Sequence, residues 1–116
     1  GEGEYDSTID ACLAKRWTEG ADAAYLEELW EGAVKIAMRH VPHRKDSVCV
    51  EVAARLKAIG RHAKAAQLLR ECGMIEQALD VCIEGKLWIL GREIAQQSVD
   101  PASRHRLEAA ERAAGG

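Results

Sequence analysis

His62, Ile75 and Trp88 stand thirteen residues apart, and each is followed at the third position by a small residue, Ala65, Ala78 and Gly91. Four residues beyond those come Leu69, Cys82 and Ala95. The same template is readable at Trp17 with Gly20 and Ala24, and thirteen residues later at Trp30 with Ala33 and Ala37. Positions i, i+3 and i+7 share one face of an α-helix, so each unit predicts a short helix with a single apolar stripe. The small residue lets a neighbouring backbone come close, and the bulky one fills the space at the helix start. A helix of about ten residues is marginal alone in water, since isolated helices shorter than ~12–15 residues barely hold. Each unit must therefore bury its stripe on its neighbours, which is the logic of a helical-repeat solenoid. Trp17, Trp30 and Trp88, recurring in this frame, are expected to be inter-helix packing residues.

The punctuation agrees with that frame. Gly60, Gly73 and Gly85 sit where helices should stop. From Trp30 to His62 the interval is thirty-two residues, so a longer helix interrupts the frame, with Pro42 at the break. Asp46 or Ser47 is then expected to cap a helix whose apolar positions are Val48, Val52, Leu56 and Ile59. Asp100 followed by Pro101 predicts the cap and first turn of a last helix. Helices are thus expected near 7–16, 21–28, 31–41, 46–59, 62–71, 75–84, 88–97 and 101–113.

The expected fold is all-α, a helical-hairpin repeat of the TPR-like α-solenoid kind. It forms a single segment over 1–116, with a repeat core at about 8–97 and a terminal helix at about 101–113. That last helix carries Arg104, Arg106, Glu108, Glu111 and Arg112 around one large apolar residue, Leu107, and reads as a fraying end or cut edge. The chain reads as a piece of a longer protein, and an uncapped solenoid piece is expected to self-associate through its ends.

Composition narrows the function. No Phe and only two Pro occur, which suits helices. Sixteen Lys and Arg against nineteen Asp and Glu give a formal net charge of −3, without a basic block, so nucleic acid is not an expected partner. No apolar run reaches the roughly 18 residues of a membrane span. The polar start Gly1-Glu2-Gly3-Glu4 is unlike a signal peptide. The four cysteines, at 12, 49, 72 and 82, fall within helical patterns and lack metal-site spacing. They are expected to be buried reduced thiols in a cytoplasmic protein.

Chemistry-bearing constellations are missing. His40 and His43 with Cys49 are interrupted by Pro42 and have no second cluster to complete a metal site. Neither Cys49 nor Cys72 has a base beside it in the sequence. Glu27-Glu28 and the Glu71, Glu76 pair read as solvated helix faces, and the glycines are too far apart to cradle a phosphate. No catalytic, cofactor-binding or metal residue is therefore assigned, no cofactor is expected, and the chain is read as non-enzymatic. The residues assigned to partner binding are a basic patch of Arg39, Arg44, Lys45, Arg61 and Lys64. In an alternative reading they line the groove of a TPR-type receptor for an acidic peptide.

The stretches Ile59-Gly60-Arg61-His62-Ala63-Lys64-Ala65-Ala66-Gln67-Leu68-Leu69 and Cys72-Gly73-Met74-Ile75-Glu76-Gln77-Ala78-Leu79-Asp80-Val81 resemble the "G-aromatic-x-x-A" hairpins of TPR-like proteins. Gly85-Lys86-Leu87-Trp88 with Ala95 follows them, Leu29-Trp30-Glu31-Gly32-Ala33-Val34-Lys35-Ile36-Ala37 precedes them, and Thr8-Ile9-Asp10-Ala11-Cys12-Leu13 lies before Trp17. With these, residues of about 8 to 97 resemble the α-solenoid halves of the large intraflagellar transport subunits. His62 stands where that pattern has an aromatic, Leu29 stands where it has a turn glycine, and no propeller accompanies the solenoid here. The resemblance implies a piece of a ciliary transport scaffold whose partners are other protein subunits.

Overall fold

The computed structural model describes residues 2–115 and the side chains from Gly3 onward. Gly1 and Gly116, the outermost residues of the 1–116 span, lie outside the described residues. Among the described residues there are seven α-helices and no strand. They run α1 Glu2–Ala14, α2 Ala23–His40, α3 Lys45–Ala58, α4 His62–Glu71, α5 Ile75–Glu84, α6 Trp88–Ala95 and α7 Pro101–Gly115, with a 3-10 turn at Pro42–Arg44 before α3. They form two compact units, residues 1–59 and 60–116.

In the second unit the thirteen-residue frame is written into the backbone. Left-handed residues fall at Gly60, Gly73 and Lys86, thirteen apart, with φ of 81°, 84° and 56°. The residues after them, Arg61, Met74 and Leu87, have nearly the same conformation, with φ of −100°, −95° and −94° and ψ of 54°, 68° and 72°. Around two of these turns the hydrogen bonds are copies thirteen residues apart. Met74 N–H donates to Leu69 C=O and Gly73 N–H to Arg70 C=O, just as Leu87 N–H donates to Cys82 C=O and Lys86 N–H to Ile83 C=O. That pair of bonds satisfies carbonyls that a helix end leaves open. His62, Ile75 and Trp88 each begin a helix, and Ala65, Ala78 and Gly91 are buried. Leu69, Cys82 and Ala95 are buried one turn further on.

The third glycine is displaced from the expected punctuation for a packing reason. Gly85 has φ of −88° and does not need glycine's conformational freedom. A Cβ there would lie 2.9 Å from the Cβ of His62, so Gly85 exists to let the start of α4 close on the end of α5. Lys86 takes the left-handed conformation in its place, at the cost that any L side chain meets there.

In the same unit α4 packs on α5, α5 on α6, and α7 on both α6 and α5. A Cβ on Gly91 would lie 2.8 Å from Leu107 Cδ1 and 3.4 Å from Cys82 Cβ, so this small residue is where α5, α6 and α7 meet. The terminal helix is not a fraying end. Leu107 is fully enclosed, and the buried Ser103 hydroxyl donates to Glu76 on α5 at 2.7 and 2.8 Å. Ser98 Oγ reaches Glu76 at 2.7 Å, Arg106 pairs with both Glu76 and Asp80, and Arg92 on α6 meets Glu111 at 2.7 Å. Polar bonds thus replace the apolar stripe that α7 lacks. Asp100 caps it, accepting from Ala102 N–H at 3.0 Å.

The first unit departs from the frame. One helix, α2, stands where two were expected at 21–28 and 31–41. Nothing at Leu29 or Trp30 stops a helix, and Leu26, Trp30, Ala33, Val34 and Ala37 form one unbroken buried stripe. Its cap is Asp22, whose carboxylate accepts from Ala24 and Tyr25 N–H at 3.0 and 3.3 Å. Helix α1 starts at Glu2 instead of residue 7, with Glu4 and Asp6 near the positive end of its dipole. It stops at Ala14, so Trp17 falls in a non-helical stretch and is half exposed. Trp17, Gly20 and Ala24 are exposed, so no buried stripe runs through them. Neither Asp46 nor Ser47 caps α3, because Pro42 opens a 3-10 turn that runs directly into it. Val48, Val52 and Leu56 are buried as expected, and Ile59 is half-buried.

Arg55 ties this unit together. Its guanidinium donates to Leu13 C=O at 2.7 Å, one of the carbonyls that the end of α1 leaves unpaired, and more weakly to Lys15 C=O at 3.4 Å. It also pairs with Glu51 at 2.5 Å and lies 5.4 Å from the ring centroid of Trp30. The enclosed Trp30 indole donates its N–H to Lys15 C=O at 2.8 Å. Three helices are joined at one place.

Two tests follow from this packing. Replacing Lys86 by Gly removes the left-handed strain and should raise stability by about 1 kcal/mol, read as a higher Tm, whereas Gly85→Ala should lower it. The hydroxyls of Ser103 and then Ser98, with Arg106, hold the Glu76 carboxyl below its ordinary pKa. Its bonds therefore stabilise α7 at neutral pH and are lost as pH falls through the depressed folded-state value. Glu76→Gln should lower Tm at pH 7 and flatten the fall of Tm with acidification below about pH 4.3, the ordinary glutamate value.

Candidate interaction surface

The five basic residues marked in the sequence divide between the two units. In the first, Arg39 lies in the last turn of α2, Arg44 ends the 3-10 turn and Lys45 begins α3. Arg44 is held by two carboxylates of α1, Asp6 at 2.8 Å and Asp10 at 2.9 Å, so it joins α1 to the α2–α3 connection. Lys45 meets Asp46 at 3.2 Å. In the second unit, Arg61 precedes α4 and Lys64 lies in its first turn, both exposed.

Beside Arg39 the first unit has a groove of about 470 Å³ along the final turns of α2. Lys35, Ile36, Met38, Arg39 and His40 line it. The imidazole of His40 stacks on Tyr5 of α1, with ring centroids 3.8 Å apart and planes within 3°. Met38 is 40% exposed between the two long cations. Lys35 and Met38 were not singled out from the sequence, although their spacing from Arg39, four and one, was visible there. All three fall on one face of the helix expected at 31–41, but a sequence does not show which cations lack a carboxylate partner.

A smaller groove of about 200 Å³ opens between Arg16, Trp17, Trp30, Arg55, Ala58 and Ile59. In the second unit a recess of about 250 Å³ lies around Ser98, Val99, Pro101, Arg104 and His105, with Val99 wholly exposed at its rim.

Cys49, Cys72 and Cys82 are buried, Cys12 is half-buried, and none forms a disulfide among the described residues. Burial pushes the Cys82 thiol up to about 11, against a smaller opposing pull from the charge of Arg70. No three His, Cys, Asp or Glu side chains converge as metal ligands among the described residues. His40 is stacked on Tyr5, His43 sits in the 3-10 turn and Cys49 is inside α3, so these three are not gathered into one site. Glu76, read from the sequence as a solvated carboxylate, instead accepts bonds from three side chains. No described helix is long and apolar enough to cross a membrane.

Known proteins give these features context. The chain is 28% identical over 100 residues to the intraflagellar transport protein 172 homolog of Homo sapiens, and the match covers 85% of this chain and 6% of that protein. The homolog of Mus musculus gives the same identity and coverage, and that of Danio rerio is 29% identical over 100 residues. The chain thus corresponds to a small part of the length of these curated relatives. No family model matches it, and no solved structure matches it.

The thiols supply a direct check on burial. In the native chain at pH 8, Cys12 should react with a maleimide well before Cys82, and unfolding in guanidinium should equalise them, as mass spectrometry of the labelled peptides would read. Early labelling of Cys82 would contradict its enclosure where α5 meets Gly91 of α6.

Proposed function

We propose that this chain is a non-catalytic scaffold and protein-interaction segment, a TPR-like α-solenoid stretch of a ciliary intraflagellar transport subunit. The observation that carries this reading is the similarity over 100 residues to intraflagellar transport protein 172 homologs of mammals and fish. Supporting it, the second unit repeats one turn geometry every thirteen residues, as stacked helical repeats require. In this role the chain transforms no substrate. It holds other protein subunits in place through its exposed helix faces, in the cytoplasm of the cilium.

A second reading, a peptide-binding receptor, draws on the groove of α2, where cations and apolar side chains stand together. Arg44 contributes less to such a groove than the sequence suggests, because its charge is spent on Asp6 and Asp10. Of the five basic residues marked in the sequence, Arg39 lines this groove, and Lys45 meets Asp46.

The test is retention from ciliated-cell extract on the immobilised chain, read by mass spectrometry. Recovery of transport-train subunits above a charge-matched helical control is the expected result. Recovery of chaperones or acidic-tailed peptides without those subunits would replace the scaffold by the receptor.

A further inference from the structure

We infer that the groove on the last turns of α2 docks an acidic amphipathic helix of a partner protein. This rests on the reading of the chain as an interaction segment and names the surface and the partner's chemistry. The groove, at about 470 Å³, is within the range of ligand-sized clefts of ~300–1,000 Å³. It offers two kinds of contact side by side. Ile36, half-buried, and Met38, exposed, give an apolar floor, and an unbranched thioether adapts to the side chains laid on it. Lys35 and Arg39, one helical turn apart, flank that floor, and neither is paired with a carboxylate among the described residues.

The helix's own needs do not account for this arrangement. Arg39 and His40 lie in the last turn, where a positive charge suits the negative end of the helix dipole. Lys35 lies before that turn, where the dipole's effect has faded, and Met38 gains nothing from being half in water. Neighbouring basic residues are treated differently: Arg44 and Lys45 have carboxylate partners. Two cations without such partners, beside exposed apolar surface, complement a helix that carries Leu or Ile on one stripe and Asp or Glu along its edges. Beside the groove, the stacked Tyr5 and His40 rings hold α1 against the end of α2.

The probe is a synthetic helical peptide with Leu at i, i+4 and i+7 and Glu at its flanks, titrated into the isotope-labelled chain. Amide shifts are expected on residues 32–41, with fluorescence anisotropy giving the affinity. The double variant Lys35→Glu with Arg39→Glu should weaken binding at least tenfold, and Met38→Asp should weaken it several-fold, both with unchanged circular dichroism and Tm. Arg112→Glu on α7 should leave the affinity unchanged. Equal binding of a Lys-flanked peptide, equal binding by the double variant, or preference for phosphatidylserine vesicles over the peptide would overturn the inference. Extract retention by the double variant separates the two readings. A double variant that still retains transport-train subunits sinks the groove and leaves the scaffold standing. A wild-type chain that binds the peptide through this groove yet retains no such subunit does the reverse.

Discussion

A ten-residue helix has too few internal hydrogen bonds to offset the entropy of ordering its ends, so α4, α5 and α6 exist only because each lies against another. That dependence sets the design of the second unit. Helices this short bury enough only if their axes come close, which requires small residues at the crossing points. Ala65 and Ala78 are fully buried, Gly91 stands where α5, α6 and α7 meet, and Gly85 extends the same economy to the point where His62 closes on the backbone. The turns must then return the chain in one orientation each time. One left-handed residue and two main-chain hydrogen bonds do this without a side chain.

The first unit solves the problem differently. With eighteen residues, α2 carries a stripe long enough to organise its neighbours, and one arginine of α3 ties the end of α1 to the same place. Only arginine suits the place of Arg55. Its planar fork reaches Leu13 C=O and Glu51 together while its face lies over Trp30, and a lysine could not make all three contacts.

How much of this was legible follows from where the information resides. Helices α4 and α5 fall on the residues expected of them, 62–71 and 75–84, because stripe and stop signal coincide there. The frame misled at Trp17, which is half exposed outside any helix, and at Trp30 only in starting a new helix there, since Trp30, Ala33 and Ala37 are buried as expected. The turn between the two tryptophans falls at Gly20, not directly before Trp30, and Leu29 supplies no stop, so α2 runs straight through. Asp22 is an ordinary N-cap signal that the assumed start at residue 21 concealed. The docking of α7 could not be read from hydropathy at all, since it depends on Ser103, Arg106 and Glu76 meeting across 27 and 30 positions. For the binding surface, the sequence pointed to the stretch around Arg39 but not to its companions. Cations are equally visible in a sequence whether paired or not, and the carboxylates that neutralise Arg44 lie 34 and 38 residues away.

The hydrogen bond from Arg55 to Leu13 C=O spans 42 positions, whereas α4 meets α5, and α5 meets α6, one helix along the chain. Closing a long loop before any reward is slow, and contacts between chain neighbours form early. The two halves therefore carry different clocks. The thirteen-residue turns can assemble one after another from whichever forms first, while the Arg55 tie to the end of α1 waits until α3 has been made.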